Sequence, residues 1–129
     1  MFLLDTCALV WWTLDPERLS KRAATACRAI EPEGKALISS ISIWEIGIKI
    51  KGGKLDIGMS IEGYHRLLKE MSTLEIVPVD ALTWVKSLSL EWDNRDPADR
   101  AIVALGLLRD LKIITSDLRI RRFYPGCIW

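Results

Sequence analysis

The sequence predicts an α/β fold, a three-layer α/β/α sandwich around a mostly parallel sheet of four or five strands. Two observations carry this. Short apolar runs (FLL, KALIS, LEIVPV and LKIITS) recur along the chain, and each is separated from the next by segments of helical periodicity. Strands that alternate with helices are joined by crossovers, so they run parallel and are covered on both faces. A third observation bears on function: acidic residues stand where these runs end or where helices begin.

FLL forms the first strand, followed by a helix from Thr6 to Leu14 and a break at Pro16. A second helix is expected from Leu19 to Ile30, then the KALIS strand and a helix from Ile43 to Lys51 that ends at the Gly52-Gly53 pair. Ile61 to Met71 reads as a helix, LEIVPV as a strand stopped by Pro78, and Ala81 to Leu90 as another helix. In the helix from Pro97 to Asp110, Ala98, Ala101, Ile102, Leu105 and Leu108 recur at helical spacing and should lie against the sheet. LKIITS is the fourth strand, and the terminal CIW is expected to add a fifth at an edge.

At 129 residues the chain is expected to be one domain, residues 1–129, with a core that needs no disulfides. No apolar run approaches the ~20 residues of a membrane helix, and MFLLD lacks the pattern of a signal peptide. A soluble, cytoplasmic protein is the expectation. Three cysteines without C-x-x-C spacing argue against a zinc site; Cys7 and Cys27 read as small core residues. The single histidine, His65, has no second histidine to act with and reads as a surface residue. Six tryptophans are many for this length, and core or interface packing is their ordinary use. Trp11 and Trp12 point about 100° apart on a helix, so one of them is expected at a partner subunit.

The acids that matter are Asp5, Glu45, Asp99 and Asp117. Two have sufficient local explanations. Ser42-Ile43-Trp44-Glu45 reads as a capping box and Glu45 to Lys49 as an i, i+4 ion pair. Asp96-Pro97-Ala98-Asp99 reads as an N-cap, a proline at N1 and an acid at N3. Asp5 and Asp117 directly follow strands, and a parallel sheet brings strand ends to one rim, where such folds bind ligands. Four carboxylates gathered there repel one another and raise at least one pKa unless cations intervene. An oxygen-only donor set suits Mg²⁺ or Mn²⁺, and such ions activate water for attack on a phosphodiester. Thr6 and Ser116 stand beside two of the acids as accessory groups, and Lys49, Arg95, Arg100 and Arg119 are nearby cations for nucleic-acid phosphates.

The stretches LLDTCALVWW, SSISIWEIGIKIKGGKL, RDPADRAIVALGLL and IITSDLRI, in this order and spacing, resemble PIN-domain ribonucleases of the VapC toxin type. The resemblance covers nearly the whole chain. It implies a PIN-like sandwich whose acids, here Asp5, Glu45, Asp99 and Asp117, bind Mg²⁺ or Mn²⁺ and cleave RNA, with Asp96 as an additional acid. It also implies a homodimer restrained by a small antitoxin. WDNRDPADR lacks the histidine and phenylalanine often seen in the H-R-D-P-F-D-R form, and Cys7 stands where relatives often carry histidine or another residue. Both departures bear on substrate preference.

Two other readings compete with the metal-dependent endoribonuclease: a PIN-fold module that grips RNA without cutting it, and a receiver-like signalling domain. The receiver reading needs an acidic pair after the first strand and a phosphoacceptor after the third. LLDT supplies one acid, and LEIVPVD reaches Asp80 only after Pro78 and Val79.

Overall fold

A computed structural model describes residues 1–30 and 34–129. Its sheet has the order β3-β2-β1-β4-β5, built from β1 (Phe2–Leu4), β2 (Ala36–Ser39), β3 (Leu74–Val77), β4 (Lys112–Ile114) and β5 (Cys127–Ile128). Every pairing is parallel. The expected fifth strand is therefore present, at the edge beside β4.

Alternation along the strands produces the layers. Leu3 pairs in register with Leu37 and Ile113, and these three face one core cluster with Ile102, Val103 and Ile120. Their neighbours Leu4, Ile38 and Ile114 face the other, with Leu9, Ile30, Ile46, Tyr64 and Leu68. A strand whose successive side chains are all buried needs helices on both sides.

The helices supply those two layers. Packed on the Leu4 side are α1 (Thr6–Leu14), α2 (Lys21–Ile30), α3 (Ser40–Lys51) and α4 (Ile61–Glu70). The Leu3 side is covered by α6 (Pro97–Arg109) and α7 (Leu118–Phe123), with α5 (Ala81–Ser89) against α6. Gly106 permits the approach of α6 to the sheet: a Cβ there would meet Ile113 Cδ1 at 3.0 Å.

Several expectations shift. The Ser42 capping box is overturned, because α3 starts directly after β2 with Ser39 as N-cap, its hydroxyl accepting from the Ile41 amide at 3.2 Å. Ser42 is buried inside the helix and its hydroxyl pairs with that of Thr6 at 2.9 Å. Residues Pro16–Arg18 form a 3₁₀ turn, so α2 begins at Lys21 rather than Leu19. The unexpected α7 follows Asp117. Leu108 is 39% exposed, so the apolar stripe of α6 ends in solvent. Cys27 is buried as expected, but Cys7 is exposed, because α1 buries Thr6, Ala8 and Leu9 instead. Trp12 packs on the core, while Trp11 lies 5.6 Å from Trp129 and under the Arg18 guanidinium. No helix among the described residues is long and apolar enough to cross a membrane.

Candidate metal centre at the sheet rim

The chain direction changes sides between β1 and β4, which pair at the centre of the sheet, and the candidate site lies at their carboxyl ends. Asp5 follows β1, and its amide continues the ladder to the Ile114 carbonyl at 3.2 Å. One carboxylate oxygen, Oδ1, caps α1 by accepting from the Ala8 amide at 2.8 Å. The other, Oδ2, accepts from the Thr115 hydroxyl. Only 6% of Asp5 is exposed. Burial pushes its carboxyl up to about 6, against the pull of the Thr115 and Ala8 bonds and with added repulsion from Asp99 and Asp117.

Thr115 connects two of the acids. Its hydroxyl donates to Asp5 and accepts from the Asp117 amide at 3.0 Å. Asp117 in turn caps α7 through the Arg119 amide at 2.8 Å. The third acid arrives on α6. Asp96 is the N-cap, accepting from the Asp99 amide at 2.9 Å, with Pro97 in the first turn, as the sequence indicates. Asn94, itself buried, donates to Asp99 Oδ2 at 2.9 Å and accepts from the Asp96 amide at 3.0 Å. Burial again comes first in raising Asp99 to about 6; Asp96 and Asp117 add repulsion, while Asn94 and Arg119 oppose it.

The acids line one cavity of about 290 Å³. Asp5, Glu45, Asp99 and Asp117 all border it, as do Asp96, Thr6, Ser116, Lys49 and Arg119. Glu45 is half-buried on α3, one turn and more beyond the helix start, and keeps its expected partner Lys49 at 3.9 Å. Arg119 bridges two acids, its Nη2 lying 3.3 Å from Asp99 and 3.4 Å from Asp117. Arg95 and Arg100 are not brought to this cavity. The Arg100 guanidinium is spent on the backbone, donating to the carbonyls of Ser87, Leu90, Trp92 and Asn94 at 2.8–3.1 Å. Asp80 is elsewhere too, capping α5 through the Thr83 amide and hydroxyl.

The donor set fits a hard divalent cation: oxygen ligands alone, two of them with pKa raised by burial and like charge, and a guanidinium standing between Asp99 and Asp117 where positive charge is needed. Among the described residues, no group of three or more such side chains converges closely enough as it stands to enclose an ion. Sequence reasoning missed Thr115 and Asn94. Thr115 ends the LKIIT run and Asn94 precedes Asp96 by two, a spacing suited to an Asx turn, but neither position reveals its carboxylate partner.

Residues 2–124 match the PIN domain family. Over 131 aligned residues the chain is 29% identical to Ribonuclease VapC22 of Mycobacterium tuberculosis, covering 98% of this chain and 97% of that protein. Its fold resembles a toxin-antitoxin complex from Klebsiella pneumoniae, with 22% identity, a TM-score of 0.65 and coverage of 100% of this chain and 97% of that one. It also resembles VapBC2 from Rickettsia felis bound to a promoter DNA fragment, with 15% identity, a TM-score of 0.67 and coverage of 95% and 92%. The acids gathered at the rim and a family match spanning nearly the whole chain agree: the protein belongs to the PIN domain family.

Proposed function

We propose that this chain, acting as a single domain over residues 1–129, is a metal-dependent endoribonuclease and the toxin of a toxin-antitoxin pair. The observation that carries the proposal is the convergence of Asp5, Asp99 and Asp117, from three separate elements, on one cavity at the carboxyl edge of β1 and β4. The likeness to a VapC ribonuclease over 98% of the chain supports the same reading.

Asp5, Glu45, Asp99 and Asp117 would hold the ion, with Asp96 as an accessory acid beside Asp99. When bound, Mg²⁺ or Mn²⁺ supplies Lewis-acid stabilisation of the phosphate and an acidified water for attack on phosphorus. Thr115 fixes the orientation of Asp5, and Asn94 that of Asp99, so both carboxylates are placed before substrate arrives. Lys49 and Arg119 border the cavity and can meet phosphate oxygens; Thr6 and Ser116 offer hydroxyls at its wall. Attack by water expels the 3′ oxygen and leaves a 5′-phosphate and a 3′-hydroxyl.

An acidic groove of this kind also suits an arginine or lysine from a protein, consistent with restraint by a small antitoxin. Apolar side chains exposed on α3 (Trp44, Ile48) and α5 (Leu82, Val85, Leu88) offer area for a second copy in a homodimer. The cytoplasm is the proposed compartment. Mapping the ends of RNA cut by the partner-free protein tests the chemistry: 5′-phosphates that disappear with Asp99→Asn are expected. Cyclic phosphate ends, or equal cutting by Asp99→Asn, would refute it.

A further inference from the structure

Beside the acid cavity lies a second one of about 670 Å³, and Arg119 borders both. Its walls are Trp92, Arg95, Arg119, Arg122 and Phe123, with Asn94 and Asp93 completing the lining. Asn94 joins the two cavities physically, because the same side chain holds Asp99. The Trp92 and Phe123 rings stack, with centroids 4.6 Å apart and planes within 10°, and both pack on the core cluster beneath α6. This aromatic pair is held by its packing.

The two remaining arginines differ from their neighbours. Arg100 is committed to backbone carbonyls and Arg119 to two carboxylates. Arg95 and Arg122 are exposed, and their guanidinium groups make no hydrogen bond or ion pair with any described residue. Against them stands one carboxylate in the lining, Asp93. A ligand that uses both features must carry negative charge and flat apolar rings, joined closely enough to touch guanidinium and indole together. Nucleotides of a single strand meet that description. An acidic peptide would satisfy the arginines but gives the aromatic pair no particular use.

We infer that the Trp92–Phe123 floor with Arg95 and Arg122 is an RNA subsite, which holds the nucleotide next to the phosphate being cut. The inference rests on the ribonuclease reading above and adds the residues that set affinity and sequence preference. Arg119, shared by the two cavities, marks the path of the strand from this subsite to the acids. Asn94 lines this wall and also holds Asp99, so the subsite and the acids share one side chain.

The test uses the whole chain with a short fluorescein-labelled single-stranded RNA in EDTA, where it binds without cutting. Arg95→Ala with Arg122→Ala should weaken binding about tenfold or more and flatten the salt dependence of log K by about 1.4, at roughly 0.7 for each phosphate left without its cation. With Mn²⁺ present, the double variant should show a raised KM, while kcat and Mn²⁺ affinity stay unchanged. Both arginines are exposed and unpartnered among the described residues, so the fold should persist, and lysine at both positions should restore the salt slope. Unchanged RNA affinity and slope would overturn the subsite, as would a double variant that loses affinity for polyglutamate while keeping it for RNA. If the unaltered chain neither binds nor cuts RNA, the ribonuclease reading itself fails; if it cuts and the double variant matches it, only the subsite does.

Discussion

Lowering the pH from 7.5 to 5 should weaken Mn²⁺ binding by roughly 100-fold, because protons and metal compete for the same oxygens. Asp5 and Asp99 both titrate at about 6. At pH 7.5 both are ionised; one unit below their pKa each is ionised about a tenth of the time, so both are ionised together about a hundredth of the time. Stability should move the opposite way. The folded chain holds these protons up to about 6, whereas the unfolded chain releases them near 3.8. Between those values the folded state binds more protons, so stability falls as pH rises through the window and levels off above it. The rise from 3.8 to about 6 corresponds to roughly 3 kcal/mol for each group taken alone, and less than twice that for the pair, which is coupled. Asp80, held below the usual range by its Thr83 bonds, acts in the other direction only beneath 3.8, outside the window. Calorimetric titration with Mn²⁺ and thermal melts of metal-free protein, both from pH 5 to 7.5, measure the two effects. The metal-free chain should melt higher at pH 5, and saturating Mn²⁺ should raise stability most at pH 7.5. Asp5→Asn should melt higher than wild type at pH 7.5 without metal, since the amide oxygen can still cap α1. Metal affinity independent of pH, with a metal-free melting temperature that is flat or rises toward pH 7.5, would refute the reasoning.

Three further outcomes follow from the same geometry. Asp99→Asn should lower RNA cleavage by about a thousandfold in a gel assay while leaving the circular dichroism spectrum unchanged, the loss expected when a carboxylate that would hold the ion beside the reacting phosphate is removed. Arg119→Ala removes the cation between Asp99 and Asp117; since exposed pairs contribute about 1 kcal/mol or less, Mn²⁺ should bind up to about fivefold more tightly, measured by calorimetry. Arg100→Ala leaves several backbone carbonyls without donors and should destabilise the fold by about 3–5 kcal/mol in urea denaturation.

Much of this architecture is legible from patterns within single segments. The five strands and six of the helices announce themselves because buried parallel strands are short and apolar and the helices between them are bounded by proline, glycine or an acidic cap. Asp96, Pro97 and Asp99 behave as a helix start should, and the four acids do reach one cavity. Helix α7 leaves no signal, because six residues with one buried side chain, Ile120, show no periodicity. The Ser42 capping box misleads because Ser39 and Ser42 both suit an N-cap, and the choice is made by where β2 stops pairing with Val77. Thr115 and Asn94 are hidden for a different reason. Thr115 reaches a carboxylate 110 positions away, and Asn94 acts from a loop, so neither partnership leaves a mark on local sequence. Arg100 flanks an acid in sequence yet turns toward the α5–α6 connection, which only the packing of those helices determines.

Metal-dependent cleavage of RNA by these acids is the proposed function. Its most direct measurement is the cleavage rate of total RNA by the partner-free protein as Mn²⁺ is added to EDTA-treated enzyme, with Asp99→Asn alongside. Cleavage that is absent in EDTA, rises to saturation with Mn²⁺ and is lost in Asp99→Asn is the predicted result. Cleavage that persists in EDTA, or a wild-type protein that cuts no RNA at any Mn²⁺ or Mg²⁺ concentration, would contradict it.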